Sequence, residues 1–168
     1  MLSNQTRIAI DLDVEAISTL ILAGSADGTG VQGSLDELNE WRLRNAAVSL
    51  IRRRISDERT LLLVSEVASG HESVGLLGTG YATISTDVDA YIGGVACSVR
   101  GQGVGFSIVN GLVNWLGQKN ITLIEMTIAV HNREMQGLAT KIGFTKESEF
   151  TEDRFYKTGY FGNWFLRL

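Results

Sequence analysis

Apolar positions change their period along the chain, and the changes divide it into elements. Arg7, Ile8, Ala9 and Ile10 read as a short strand, after which Asp13 is placed to cap a helix whose Ile17, Leu20 and Ile21 recur at helical spacing. Residues 23–33 are glycine-rich and read as a loop. Ser34 and Glu37 then make a capping box for a second, long helix carrying Leu35, Leu38, Leu50, Ile51 and Ile55. From residue 60 the pattern becomes β-rich: runs at 61–67, 74–84 and 88–95 are separated by turn-like segments at 68–73 and 85–87, which predicts a three-strand meander.

Glycines at 101–105 lead into a helix with Val104, Ile108, Leu112 and Leu116 in period. A strand at 121–130 follows, then a short helix from Asn132 to Ile142 that Gly143 ends at the C′ position. Two further strands, 144–150 and 162–168, flank an aromatic loop with Phe155, Tyr156, Tyr160 and Phe161. The predicted order is β-α-α-β-β-β-α-β-α-β-β, without internal repeat or low-complexity tract.

Composition fits this order to one globular domain over residues 1–168. The chain is 44% hydrophobic and 20% charged, and its length is enough to bury a core without disulfides or a structural metal. One cysteine, Cys97, and two isolated histidines, His71 and His131, exclude a disulfide scaffold and give no metal-ligand spacing. No window approaches the roughly 18 apolar residues of a membrane helix and no signal-peptide pattern opens the chain, so a cytoplasmic, membrane-free protein is expected. Residues 1–40 hold seven acids (Asp11, Asp13, Glu15, Asp27, Asp36, Glu37 and Glu40) against Arg7 alone, a net of −6. Nucleic-acid binding, which calls for a concentrated basic face, is not expected.

The segment from Val95 to Gly105, with Arg100-Gly101-Gln102-Gly103-Val104-Gly105 at its end, runs from a strand through glycines into a helix. Such a turn suits an anion: glycines let a phosphate approach the backbone, and unsatisfied N–H groups at the helix start point at it. An ordinary strand-to-helix turn has the same pattern. The neighbourhood decides in favour of the anion, because this hexapeptide resembles the [QR]-x-x-G-x-[GA] signature of the GNAT superfamily of acyl-CoA-dependent N-acyltransferases. Asn132, eleven residues before Gly143, and Leu138-Ala139-Thr140-Lys141-Ile142-Gly143-Phe144 are similar to a second segment of that family. The element order resembles the family fold, a mixed, mostly antiparallel sheet of about seven strands with four helices, over nearly the whole chain.

The resemblance implies an acetyl-CoA-dependent N-acetyltransferase acting on a primary amine of a small molecule or peptide by direct attack in a ternary complex. It implies that Arg100, Gly101, Gln102, Gly103, Val104 and Gly105 hold the coenzyme pyrophosphate, that Gly93 and Val95 lie on the strand that pairs with the pantetheine arm, and that Asn132 reaches that arm. The Gly93-Gly94 pair fits a bulge or a close backbone approach, and Asn132 fits a helix cap equally well.

Two positions depart from the family. The tyrosine that many relatives use to protonate the departing thiolate is Ala139 here, and the glutamate that often serves as base is Thr127. A thiol with a pKa near the ~8.5 of cysteine leaves with little penalty near pH 7. The missing base matters more: a lysine-like amine of pKa ~10.4 costs roughly 4.6 kcal/mol to deprotonate at pH 7, an α-amine near 7.8 only about 1 kcal/mol. Strand parity names substitutes, with Glu125 on the same face as Thr127, Tyr91 just before the glycine pair, and Tyr156 in the aromatic loop.

Cys97 reads as a bystander and not a covalent nucleophile. Two other functions compete: a catalytically weak acyl-CoA-binding module, motivated by Ala139 and Thr127, and an NAD-binding oxidoreductase in which Glu125 would be the ribose-binding acid. The acidic first forty residues point to a cationic acceptor, although carboxylates that merely solubilise helix faces would look the same. The apolar C-terminal stretch from Asn163 to Leu166 offers a strand that could pair across a homodimer.

Overall fold

A computed structural model describes residues 4–23, 43–67, 75–130, 132–150 and 161–168. Seven strands form one sheet in the order β1-β2-β3-β4-β5-β7-β6. The strands are β1 (Asn4–Ile8), β2 (Thr60–Val67), β3 (Gly78–Ile84), β4 (Asp89–Cys97), β5 (Leu123–Ala129), β6 (Thr145–Phe150) and β7 (Phe161–Arg167). The α-helices of nine residues or more among the described residues are α1 (Val14–Ala23), α2 (Val48–Ser56), α3 (Val104–Gln118) and α4 (Arg133–Ile142). This is the mixed, mostly antiparallel architecture the element order predicts. No described helix is long and apolar enough to cross a membrane.

Alternation along the strands feeds two cores, one on each face. Leu61 and Leu63 of β2, Ala90 and Ile92 of β4, and Ile124, Met126 and Ile128 of β5 meet Val104, Ile108, Leu112 and Leu116 of α3 in the larger cluster. Leu62 and Val64 point the other way, onto Val14, Ile17 and Ile21 of α1 and Ile51 of α2. Each such side chain is worth about 1.5–3 kcal/mol when fully buried, so the period-2 pattern commits the strands to this register. α3 lies close to the sheet because β3 offers glycines beneath it. A Cβ at Gly80 would come within 2.8 Å of Ile108 Cγ2.

The structure corrects several local expectations. β1 begins at Asn4 and ends at Ile8, its register fixed by the ladder from Asn4↔Val67 to Ile8↔Leu63. Asp13 does not cap α1 as an N-cap. It ends a 3-10 turn (Asp11–Asp13), accepts from the Ile10 N–H at 2.8 Å and takes two bonds from the Arg7 guanidinium, which also grips Glu66. That guanidinium holds the Asp13 carboxyl below the usual carboxylate range.

The long second helix is broken, since helical residues 43–45 stop at Ala46 and Ala47 has an extended ψ of 121° before α2 begins. The Ala46 carbonyl is taken by the Ser18 hydroxyl of α1 at 2.7 Å. The strand expected over 74–84 starts only at Gly78. The glycine-rich loop at 23–33, the Ser34–Glu37 capping box, His71, His131, Tyr156 and Tyr160 lie outside the described residues.

The C-terminal strand is corrected by topology. β7 is hydrogen-bonded to β5 on one side and β6 on the other, so neither of its edges is open for pairing across a dimer.

Candidate active site

One strand pair in the sheet is parallel. β4 and β5 share three registered pairs, Asp89↔Leu123, Ala90↔Ile124 and Tyr91↔Glu125, and their pairing ends there although β4 runs on to Cys97 and β5 to Ala129. The two strands therefore part after Tyr91 and Glu125, and their inner edges carry backbone groups free of that ladder. A mostly antiparallel sheet with one short parallel seam is also not the doubly wound parallel sheet of a dinucleotide-binding oxidoreductase, and Glu125 stands within β5, not at its end.

A bulge shapes β4 beyond the seam. Thr79↔Ala96 and Tyr81↔Gly93 leave β4 one residue longer than β3 across this interval, and Gly94 takes φ +61°. The extra residue reverses the parity of β4. Tyr91 and Gly93 face the side of α1 and α2, whereas Val95 and Cys97 pack against the large core on the α3 side. Burial pushes the Cys97 thiol up to about 11, so it is a thiol and not a thiolate at neutral pH.

β4 then enters the glycine loop. Gly101 and Gly103 have φ of +68° and +77°, and a Cβ at either would meet nothing within 4 Å, so this backbone is open on its outer side. Gly103 is the N-cap residue of α3 without a side-chain cap, and the first turn of α3 holds no acidic residue. Its leading N–H groups and positive dipole end are thus offered to an anion. Gly105 packs close to α4, where a Cβ would lie 3.4 Å from Leu138 Cδ1. Arg100, 3.6 Å from Glu134 of α4, and the exposed Gln102, whose carbonyl accepts from Asn4 Nδ2 at 3.3 Å, flank the loop, and Val104 is buried beneath it.

On the α1 and α2 side of the seam, Tyr91, Glu125 and Phe165 are register neighbours on β4, β5 and β7. Glu125 is half-buried and its carboxyl is raised above the ordinary carboxylate range by desolvation. Thr127 is one pleat further along and its Oγ1 lies 3.4 Å from Asn163 Oδ1. Asn132 serves as the N-cap of α4, accepting from the Met135 N–H at 3.1 Å. Ala139 is fully buried in the larger core.

Two residues that no sequence motif marks stand at the same place. The Tyr81 ring lies over the glycine pair: a Cβ at Gly93 would be 2.9 Å from its Oη, and one at Gly94 2.7 Å from its Cε1. Arg54 of α2 stacks its guanidinium on that ring, 3.8 Å from the centroid. The turn read at 85–87 would set Tyr81 opposite Tyr91, whereas the observed register Ile84↔Ala90 sets it opposite Gly93, and the Arg54 stack is tertiary, so neither is marked in the sequence. Among the described residues no cluster of His, Cys, Asp and Glu could hold a metal ion.

Residues 35–144 match the family model described as Acetyltransferase (GNAT) family. No curated protein sequence matches the chain. Among solved structures it resembles PaiA N-acetyltransferase from Thermoplasma acidophilum in complex with coenzyme A, with a TM-score of 0.78 at 14% identity over 99% of this chain and 100% of that one. It is also similar to spermidine N-acetyltransferase from Vibrio cholerae in complex with CoA and spermine, at TM-score 0.69, 18% identity and coverage of 98% and 95%. The ribosomal-protein-S5-alanine acetyltransferase from Vibrio fischeri gives 0.72, 14%, 98% and 92%.

Proposed function

The chain belongs to the GNAT family of acetyltransferases, and from that premise we propose that residues 1–168 act as one N-acetyltransferase domain that moves the acetyl group of acetyl-CoA to a primary amine of a small molecule or peptide. The observation that carries this reading is the short parallel seam ending at Tyr91 and Glu125 beside a glycine loop and an uncapped helix start. The pyrophosphate of the coenzyme sits on the backbone N–H groups of 101–105, with Arg100 and Gln102 beside it and Val104 anchoring the turn in the core. The pantetheine arm follows β4 at Gly93 and Val95, and the end of α4 that Asn132 caps borders it.

The amine attacks the thioester carbon directly while both substrates are bound. Glu125 takes the amine proton, itself or through water, and its raised pKa brings it nearer the basicity that such a transfer needs at neutral pH. Tyr91, its neighbour across the seam, and Tyr156 are the other side chains proposed near the acceptor. A second reading, acyl-CoA binding without turnover, is favoured by Ala139 and Thr127 standing where relatives carry an acid and a base, and release of free thiol from acetyl-CoA in an amine screen separates the two.

Acetyl-CoA, and not NAD, is expected to raise the melting temperature. The rise should grow with ligand concentration as mass action requires of a ligand of the native state. Thermal protection by NAD with none by acetyl-CoA would overturn the assignment.

The acceptor is proposed to be a cationic amine, drawn in by the carboxylates of residues 1–40. Asp13 and Asp11 are paired with Arg7 and Arg52, which reduces their share of that attraction. The kcat/KM for a polyamine should then fall as added salt shortens the Debye length. A kcat/KM indifferent to salt, or highest for anionic acceptors, would reject the steering and leave the acetyl transfer standing.

A further inference from the structure

Glu125 and Arg54 are opposite charges on one face of the sheet, and neither forms an ion pair with any of the described residues. β5 places Ile124 and Met126 in the core beneath α3, so Glu125 between them faces the side of α1 and α2. Tyr91 of β4, between Ala90 and Ile92, does the same. Arg54 reaches this face from α2. Its guanidinium stacks on Tyr81, 3.8 Å from the ring centroid, and Tyr81 packs against the smaller core. Tyr91 links the two charges, since it is registered with Glu125 and lies within the electrostatic reach of Arg54.

Both charges are half-buried. Burial raises the Glu125 carboxyl and lowers the Arg54 guanidinium, so each is pushed toward its neutral form for want of a partner. Charges taken out of water unpaired cost stability. Arg54 is nevertheless held in place: its Nη2 donates to Asn45 Oδ1 at 3.0 Å, and Asn45 is itself buried. Asn45 and Tyr81 engage only part of a fork that carries five N–H donors.

We propose that Glu125 and Arg54 are the two poles of an acceptor site for an amino acid, with Arg54 holding the carboxylate while the amine faces Glu125. The inference rests on the acetyl-transfer reading above and narrows its acceptor to a molecule that carries both groups a few bonds apart. A guanidinium fork matches a carboxylate in geometry and in charge. The β3 and β5 backbones that carry Tyr81 and Glu125 run two strand spacings apart, about 9–10 Å, and a small amino acid with a hydrogen bond at each end bridges a gap of that order. An amine without a carboxylate offers Arg54 no partner and brings a second cation beside it. The ammonium end is what the acids of residues 1–40 draw in, so steering and selection act on different ends of one molecule.

The test measures kcat/KM of the full-length wild type at saturating acetyl-CoA for L-amino acids and for the carboxamide of each, which keeps the amine and the side chain and removes the anionic charge. The best amino acid should be preferred over its amide by about a hundredfold, the loss expected when a hydrogen-bonded charge pair is broken. Arg54→Met should abolish that preference through KM, with kcat little changed, and Arg54→Lys should keep part of it. Arg53→Met removes an exposed cation from the same helix and should leave the preference intact. A wild type that takes amides or simple amines as well as amino acids would overturn the inference, and this ratio needs no variant to fold. An undiminished preference in Arg54→Met, or an equal loss in Arg53→Met, would overturn it too. So would a wild type that binds acetyl-CoA and acetylates amines but no amino acid, and in each of these cases acetyl transfer stands. Failure of the wild type to bind acetyl-CoA would overturn the reading beneath it as well.

Discussion

Glu125→Gln should depress turnover by about a hundredfold or more while leaving acetyl-CoA affinity largely intact, as removal of a general base does. The side chain stays the same size between Tyr91 and Phe165 on the neighbouring strands, so packing is preserved. Stability provides the control. Because desolvation raises the folded-state pKa of Glu125, its ionisation is harder in the folded chain than in the unfolded one. The resulting loss of stability is absent below the ordinary carboxylate pKa, grows as pH rises, and is complete above the raised folded pKa. The neutral glutamine escapes it, and the variant should be at least as stable as the wild type at pH 7. Steady-state kinetics with a melting curve check both statements. A stable Glu125→Gln protein with near-wild-type turnover would eliminate the carboxylate and turn attention to Tyr91 and Tyr156.

The largest loss of binding is expected at Gly103. Its φ of +77° and the empty space around its Cβ position leave nothing of the protein to crowd a side chain there, so a valine would occupy the place proposed for the pyrophosphate. Losing two hydrogen bonds to a charged group, at about 1.5–3 kcal/mol each, weakens binding by more than about a hundredfold. Valine is also strained at positive φ, which by itself could distort the loop. Asparagine tolerates that backbone, and Gly103→Asn should lose affinity too if space is what matters. Titration calorimetry on variants with native circular dichroism is the measurement, and undiminished affinity in both would show that the loop is only a turn.

What the sequence disclosed follows from the range of the interactions involved. α3 was legible because Val104, Ile108, Leu112 and Leu116 all serve one core, and the meander because alternating residues of β2 serve two. The glycine loop, the bulge at Gly94 and the cap at Asn132 are local devices, written in the residues that perform them. The break before α2 was hidden because Ser18, 28 positions away, takes the Ala46 carbonyl. Asp13 serves as no N-cap because its carboxylate is held by an Arg7 guanidinium that also binds Glu66 on another strand, a partnership no local pattern marks. The place of β7 inside the sheet, and the meeting of Arg54 with Tyr81, depend on how distant elements dock, which no period records.

The three-pair seam between β4 and β5 divides the sheet into two ribbons, β1 to β4 and β5-β7-β6, each antiparallel throughout. Within the ribbons β2-β3, β3-β4 and β6-β7 pair consecutive strands, whereas β1-β2 and β5-β7 join strands further apart in the chain than the β4-β5 seam that α3 bridges. In the finished protein the same seam is the narrowest hydrogen-bonded join in the sheet, reinforced by the core that α3 shares with both sides. A guest whose amides meet the parted edges would behave as an added half-strand, lengthening the join and stiffening one ribbon against the other. Occupancy of the cleft would then be felt as rigidity throughout the sheet, including at edges far from the cleft itself.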